Sequence, residues 1–308
     1  VNTTAADLSL GTGGEDFVLW PIGRTSGGIM SGGHVMKLRY TPVQMDTLVV
    51  ESQESRHHDA LASADSLDGM PVIACSLHSQ VAAAAALAKA RDPGVRIAYV
   101  MTDGGALPLA MSNLVADLTG RGLIDVTLTC GHAFGGDHEA VSVFSALAVA
   151  RHLAGADAAV VAMGPGVVGT ASRLGFSGLE VGPVLDAATA LGGTAIACLR
   201  ASFADPRERH QGLSHHSATA LRLACRSRVA LALPALGGPD EARLRADLAA
   251  AGLDVRHEVV AVETPDVLDL FAGHGLEVTS MGRPAADDPV LFACGAAAGV
   301  LAAARLVR

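Results

Sequence analysis

Reactive side chains follow directly after several short apolar segments of this sequence. The segments have the length and the Val, Ala and Leu content of buried strands, and histidine, aspartate, arginine or glycine comes next. In chain order these groups are His78, Asp103 and the stretches 131–138, 164–166 and 200–216. Since the carboxyl ends of parallel strands meet at one edge of a sheet, we expect the groups to face a common crevice.

Metal binding is one chemistry that these residue types allow. Neutral imidazoles and carboxylates bind zinc, manganese or iron, and a bound divalent metal lowers the pKa of its water. No HExxH or HxH spacing occurs, so no local motif defines a ligand set. The candidate ligands are Asp103, His132, Asp137, His138, His210 and His216.

The alternative is a polar cleft without metal, in which histidines donate hydrogen bonds and act as general acids or bases. Ser177 and Cys130 are the nucleophile candidates, although a buried structural thiol is the simpler interpretation of Cys130. Under either interpretation, the residues that we expect to form the catalytic centre are Asp103, His132, Asp137, His210 and His216.

Anion binding is the second chemistry. Arginine forks bind carboxylate or phosphate, and the backbone N–H groups of a glycine turn cradle anions. Lys37 and Arg39 alternate along the apolar run 35–40, which predicts that both point to one face of a strand. A solvated surface is the alternative for these charges. The candidate substrate-binding residues are Lys37, Arg39, His78, Gly104, Gly164, Gly166, Arg200, Arg207 and His215.

Residues 164–169 also fit the GxGxxG pattern of dinucleotide-binding loops. That pattern requires a helix to begin at once, and it belongs to the first strand–helix turn of the fold. Here further glycines delay the helix, and the turn follows the fourth strand-like segment of the main repeat. A nicotinamide or flavin cofactor is therefore not expected.

The elements that must position these groups alternate from about residue 71 onward. Near-continuous apolar strands between helices predict an α/β fold, with a mostly parallel, doubly wound, Rossmann-like sheet covered on both faces. The expected strands are 72–77, 96–102, 125–130, 158–163, 194–199, 229–233, 255–262 and 277–280. The expected helices are 81–90, 109–119, 138–153, 184–191, 218–225, 241–250 and 293–306.

The domain organisation follows from the same alternation. Residues 1–70 are glycine-rich with strand-like runs at 17–20 and 35–40, which indicates a β-containing lead-in packed on the main core. Residues 71–308 are expected to form one compact α/β domain, because no linker-like stretch interrupts them. The segment after Pro234 has fewer reactive groups and is expected to be scaffold.

Composition narrows the partners. The formal net charge is −9 and no Lys/Arg cluster stands out, so nucleic-acid binding is not expected. No signal-peptide pattern opens the chain and no apolar run could span a bilayer, so we expect a cytoplasmic protein without membrane contact. The five widely spaced cysteines argue against a disulfide framework. A charged fraction of only 17% and an apolar last helix favour a homo-oligomer.

Several longer motifs carry a resemblance to a known family. They are GTGGEDFV at 11–18, GHVMKLRYTP at 33–42, AYVMTDGGALP at 98–108, GHAFGGD at 131–137, SFADPR at 202–207 and SHH at 214–216. Together they resemble DUF3866, a bacterial family catalogued only as a domain of unknown function. The resemblance covers most of the chain and implies no known activity. It also implies that relatives have a further N-terminal segment, so we expect a truncated or processed start.

The leading expectation is an enzyme, a hydrolase or lyase with possible metal assistance, acting on a small anionic substrate at the carboxyl edge of the sheet. Convergence of five strand ends is the reason for it. Two alternatives stay open. One is a non-catalytic binding protein for a phosphorylated metabolite or nucleotide, and the other is a structural subunit of a larger complex.

Overall fold

A computed structural model describes residues 35–40, 44–103 and 106–307 of the chain. Its strands are β1 (Val35–Lys37), β2 (Met45–Thr47), β3 (Pro71–Cys75), β4 (Ile97–Thr102), β5 (Val126–Thr129), β6 (His138–Glu139), β7 (Ala158–Met163), β8 (Thr194–Cys198), β9 (Ala201–Ser202), β10 (Gly212–Leu213), β11 (Ala230–Pro234), β12 (Glu258–Val262), β13 (Thr279–Ser280) and β14 (Arg283–Pro284). Its α-helices are α1 (His58–Leu61), α2 (Gln80–Arg91), α3 (Asn113–Gly120), α4 (Val143–His152), α5 (Val181–Ala190), α6 (His215–Thr219), α7 (Gly238–Ala250), α8 (Leu253–Arg256), α9 (Val267–His274) and α10 (Pro289–Ala304).

Eight strands form one parallel sheet in the order β12-β11-β8-β3-β7-β4-β5-β6. Strands β3, β4 and β7 are buried along their whole length, since helices cover both faces and no face is left to water. Helices α2, α9 and α10 pack together on one face, and α4 and α5 pack on the other. The α/β, doubly wound, Rossmann-like architecture expected from the sequence is thereby confirmed.

Small residues bring α10 close to α2. A Cβ added at Gly299 would lie 2.3 Å from the carbonyl oxygen of Ala84, a separation that no side chain tolerates. Alanines fill most of the remaining contact, so a core with few aromatic rings is packed by close helix approach.

The strand order creates a switch point beside β3. Strand β4 lies two positions from β3, and β7 later fills the position between them. From β7 the chain crosses to the other side of β3 and forms β8. Loops leaving β3, β7 and β8 therefore diverge around one crevice at the carboxyl ends of these neighbours. Ligands of open α/β sheets bind in such crevices.

Two expected helices begin later than the sequence pattern suggests. The helix expected over 138–153 starts at Val143, because Ser142 caps its first turn and His138 belongs to edge strand β6. The helix expected over 109–119 starts at Asn113, where Ser112 Oγ accepts a hydrogen bond from the backbone N–H of Val115. In both cases a serine cap interrupts an apolar run that continues across it.

Two expected strands are also shorter. Strand β1 ends at Lys37, and Leu38 takes a positive φ of 48°, so the prediction that Lys37 and Arg39 share a face is wrong. The segment 277–280 adds no strand to the main sheet, and only Thr279–Ser280 pairs, antiparallel with β14. The expected run 17–20 lies outside the described residues.

Within the described ranges, no helix combines the length and hydropathy needed to cross a membrane.

Candidate functional site

A cavity of about 300 Å³ opens at the carboxyl ends of β8, β3 and β7, where the switch point lies. Four segments wall it: the residues after β3, the glycine turn after β7, the loop after β8, and the β13–β14 hairpin. Its charged and imidazole lining consists of His78, Arg200, Arg207, Arg209, His210 and His216. Leu77, Leu114 and Val167 supply apolar wall. The volume is at the small end for ligand pockets, which suits a small metabolite.

Arg200 is a buried cation in this wall, with 3% of its surface exposed. Its Nη1 donates to His216 Nδ1 at 2.9 Å, and its Nη2 donates to the Met281 sulfur at 3.5 Å. Among the described residues, no carboxylate forms a salt bridge with it. Burial, and then the charge of nearby Arg207, lowers the pKa of Arg200 to about 10, so it remains charged at neutral pH. A buried guanidinium without a carboxylate partner is costly unless an anion compensates it.

Arg207 is compensated, in contrast. Its Nε and Nη2 bind Asp205 in a bidentate pair at 2.8 and 2.7 Å. Asp205 is fully buried, and its pKa lies below the usual range because the bonds and charge of Arg207 outweigh the effect of burial. The pair fixes the loop after β8 and engages Asp205, which attracts Arg200 only from beyond ion-pair distance.

Three histidines lie side by side here: His210 in the loop after β8, and His215 and His216 in the first turn of α6. One ligand nitrogen from each lies within 4.8 Å of the others. Burial, followed by the charge of Arg200, lowers the pKa values of His210 and His216 to about 3, so both rings are neutral at neutral pH. His216 also stacks on Phe176, with ring centroids 3.9 Å apart, which fixes its plane.

The hydrogen bonds assign different roles to two of these rings. A guanidinium has no acceptor, so Nδ1 of His216 must accept from Arg200 and its proton must sit on Nε2. His216 therefore presents a donor. His210 Nδ1 lies 2.7 Å from the hydroxyl of Ser214, a partner that can donate or accept, so His210 can gain or lose a proton without losing this bond.

The trio meets the distance requirement of a metal site, but its electrostatics fit a cation poorly. Nε2 of neutral His216 is protonated and has no lone pair to give, and Arg200 lies in direct contact with the ring. The nitrogens that remain are those of His210 and His215. Of the metal ligands expected from the sequence, the structure brings only His210 and His216 together, with His215 as an addition.

His78 lines the cavity from the end of β3 and is anchored on both ring nitrogens. Its Nε2 lies 2.6 Å from Ser112 Oγ, and its Nδ1 lies 3.0 Å from the hydroxyl of Tyr99. Burial lowers its pKa to about 4, so it is neutral at physiological pH. The ring is held as a fixed polar surface beside the ligand position.

The glycine turn after β7 divides into structural and lining residues. Gly164 packs on Met101, and a Cβ there would lie 3.0 Å from the methionine sulfur. Gly166 lines the cavity with a positive φ of 101°, which favours glycine. Ser177 Oγ accepts from the N–H of Val168 at 3.0 Å, so the expected nucleophile candidate braces the turn.

Several expected site residues lie away from the cavity, around the loop that follows β5. Lys37 is fully buried there and donates to the carbonyl oxygens of Gly131 and Ala133, both at 2.8 Å. It also forms an ion pair with Glu139 at 3.3 Å. Asp103 packs on Gly131 and accepts from the N–H of Ala106. Lys37 thus locks the β1–β2 hairpin onto the sheet.

Other expected residues share this separate location or lie on the surface. Asp137 accepts hydrogen bonds from the backbone N–H and from the hydroxyl of Thr127, and these two bonds secure the approach to β6. His132 and His138 are half-buried on the same loop and strand, and Arg39 is exposed. Strand β5 is three positions from β3, or roughly 14 Å at normal strand spacing, which explains the separation. Gly104 lies outside the described residues.

The structure also adds site residues that sequence reasoning missed. Met281 and its neighbours in the β13–β14 hairpin line the cavity, although they belong to the segment after Pro234 that the sequence led us to expect as scaffold. Nothing in the local sequence marks Met281, because an isolated methionine in a turn carries no chemical signature. Phe176, which stacks on His216, had one sequence signal: it lies in the glycine-rich stretch that follows β7.

The fold and the site together define a doubly wound α/β protein with an arginine–histidine pocket at its switch point. The chain belongs to the DUF3866 family, described as proteins of unknown function, whose family model matches residues 1–299. No curated protein and no solved structure matches the chain.

Proposed function

We propose that this protein is an enzyme, a hydrolase or lyase, that acts on a small anionic molecule bound in the switch-point cavity. Arg200 carries the proposal: it is buried, charged and in the cavity wall, and no carboxylate of the described residues forms an ion pair with it. An anionic group of the substrate supplies the missing counter-charge. The apolar wall formed by Leu77, Leu114 and Val167 accepts the remainder of the molecule.

The histidines supply proton transfer in this proposal. His216 donates from Nε2, because Arg200 occupies its other nitrogen. His210 is the proton acceptor, because the Ser214 hydroxyl matches either of its protonation states. Its pKa of about 3 is too low for a base in the free protein, and a bound anion would raise it by offsetting Arg200. Substrate binding would thus activate the base.

Binding of simple anions to the whole protein tests the first step. Sulfate and inorganic phosphate, titrated by calorimetry, should bind wild type and raise its melting temperature. Arg200→Gln should weaken binding at least tenfold, while Arg245→Gln, at an exposed i,i+4 pair on α7, should not. Equal anion affinity in wild type and Arg200→Gln would refute the proposal.

Turnover separates an enzyme from a binding protein. Anionic metabolites that stabilise the protein should be incubated with it and the products followed by mass spectrometry. Conversion that is lost in His210→Gln supports the enzyme. A tight ligand that is recovered unchanged supports the non-catalytic alternative.

Metal assistance is a second candidate, supported by the spacing of the histidine trio. His210 and His215 would hold the ion, and the ion would supply an activated water. Elemental analysis of protein purified without a histidine tag tests it. Stoichiometric zinc, manganese or iron that is lost in His215→Ala would favour this candidate over the metal-free proton transfer.

A further inference from the structure

The methionine of the β13–β14 hairpin occupies an unusual position in the cavity. Two guanidiniums converge on its sulfur: Arg207 Nη2 at 3.2 Å and Arg200 Nη2 at 3.5 Å. Both donors come from the loop after β8, and the acceptor comes from a distant part of the chain. Two cationic N–H groups thus point at one atom.

That atom is a weak acceptor. A thioether sulfur accepts hydrogen bonds poorly, whereas a guanidinium forms short, strong and often bidentate hydrogen bonds with carboxylate or phosphate oxygens. Arg207 also bonds Asp205 through Nε and Nη2, and Arg200 also bonds His216 through Nη1. Within the described part of the chain, the Met281 sulfur is the one acceptor that both arginines share.

We propose that the Met281 thioether is a placeholder for an oxygen of the substrate's anionic group, which displaces the thioether and takes the bonds from Arg200 and Arg207. This inference rests on the proposed function and specifies the ligand group as an oxyanion, either carboxylate or phosphate. It makes Met281 a residue that sets affinity and selects ligands able to replace its sulfur.

The hairpin is built so that this side chain moves while its backbone stays. Arg283 ties the hairpin to Asp288 at 3.0 Å and to Asp205 at 3.4 Å. The hydroxyl of Ser79, the residue before α2, donates to that of Ser280 at 2.9 Å. Met281 lies between these anchors, half-buried, on an unbranched side chain with several rotatable bonds. Rotation of the side chain alone would clear the oxyanion position.

Three substitutions at Met281 test the inference. Met281→Ala removes the competitor and should tighten sulfate and phosphate binding about fivefold, measured by calorimetry on the full chain. Met281→Leu keeps the bulk and removes the sulfur, so its affinity should lie between wild type and Met281→Ala. Met281→Glu places a carboxylate on the two arginines and should weaken anion binding at least tenfold. Acetate, in a parallel titration, distinguishes a carboxylate preference from a phosphate preference.

The controls separate this inference from the proposed function. Met45→Ala, on the β1–β2 hairpin, should leave anion affinity unchanged, and melting curves show whether each variant is folded. If wild type binds anions through Arg200 but Met281→Ala binds them no more tightly, the placeholder inference fails and the proposed function stands. If neither wild type nor Met281→Ala binds sulfate, phosphate or acetate, both fail.

Discussion

Arg200 Nη1 donates to His216 Nδ1 at 2.9 Å, and this one bond fixes which pocket histidine can take up a proton. Protonation of His216 would place a hydrogen on Nδ1 and break the bond to a buried cation. His210 has no such constraint, since its Nδ1 faces the Ser214 hydroxyl. Two adjacent imidazoles with similarly lowered pKa values therefore have different chemistry.

Anion binding should consequently be coupled to protonation of His210. Burial and the charge of Arg200 lower its pKa to about 3 in the free protein. A bound anion should raise it, so the complex should hold more protons than the free protein. Affinity for sulfate, which does not titrate in this range, should tighten as pH falls from 8 to 5, by up to about tenfold per pH unit per proton. Calorimetry across this range measures the slope.

The matched histidine variants identify the group responsible for the slope. His210→Gln should flatten the pH profile, while His216→Gln should weaken sulfate binding at every pH and keep the slope. The same change at exposed His152 serves as the control. A flat profile in wild type, or a slope that disappears with His216, would contradict the assignment.

His78 should make the fold sensitive to acid. Burial lowers its folded-state pKa to about 4, whereas an unfolded histidine titrates near 6.5. Between these values the unfolded chain binds more protons. The contribution of His78 to the free energy of unfolding is therefore fully present above pH 6.5 and is lost as pH falls toward 4. The His78 contribution amounts to about 3 kcal/mol over that window.

Urea unfolding of wild type and His78→Gln at pH 7.5 and pH 4.5 measures this effect. The variant loses contacts to Ser112 and Tyr99 and should be less stable at pH 7.5. Its loss of stability between the two pH values should nevertheless be smaller than that of wild type. Parallel stability curves would show that His78 does not titrate as described.

Glu180 should have the opposite pH dependence. Burial raises its pKa to about 7, an effect that the hydrogen bond from the Thr102 hydroxyl reduces and the charge of Asp103 increases. The folded chain therefore holds a proton that the unfolded chain releases near 4.5, and stability is lost as pH rises through 7. Glu180→Gln keeps an acceptor for Thr102 and removes the ionisation. We expect it to be more stable than wild type by about 1–3 kcal/mol at pH 8 and nearly equal at pH 4.

Denaturant midpoints at both pH values test the Glu180 prediction, with Glu277→Gln, at an exposed position, as the control. An advantage for Glu180→Gln that is the same at pH 4 and pH 8 would point to packing rather than ionisation.

The contrast between the cavity residues and the polar residues around the loop after β5 shows how much of the site the sequence could predict. Strand periodicity located the loops after β3, β7 and β8, and these contribute His78, Gly166 and Arg200 to the cavity. It also placed Asp103 and His132 at the same sheet edge. Chain order does not reveal spatial order, however, and the insertion of β7 between β3 and β4 moves these residues away from the cavity.

Lys37 shows a second limit of sequence reasoning. A lysine on an apolar strand signals a special role, but the sequence does not show whether its partner is a ligand or the chain itself. In the folded protein, two carbonyl oxygens and Glu139 satisfy the ammonium group. Met281 shows the converse, since its role depends on two arginines about eighty residues earlier in the sequence and arises only from tertiary packing.

Arg283 should be essential for positioning the β13–β14 hairpin. It pairs with Asp288, which is almost fully buried and otherwise accepts one bond from Ser202, and it also reaches Asp205. Arg283→Ala leaves a buried carboxylate without its cation, which should destabilise the protein by about 2–4 kcal/mol. Arg305→Ala, which removes an exposed pair with Glu258, should cost less than about 1 kcal/mol.

Limited proteolysis adds a local measurement to these unfolding experiments. Cleavage within 279–284 should accelerate in Arg283→Ala more than in Arg305→Ala, because freeing the hairpin exposes its backbone before the sheet unfolds. Anion affinity should change as well, since Met281 would no longer be held over Arg200 and Arg207. Unchanged cleavage together with a large loss of global stability would mean that Arg283 stabilises the loop after β8 rather than the hairpin. Met281 would then owe its position to the Ser79–Ser280 contact instead.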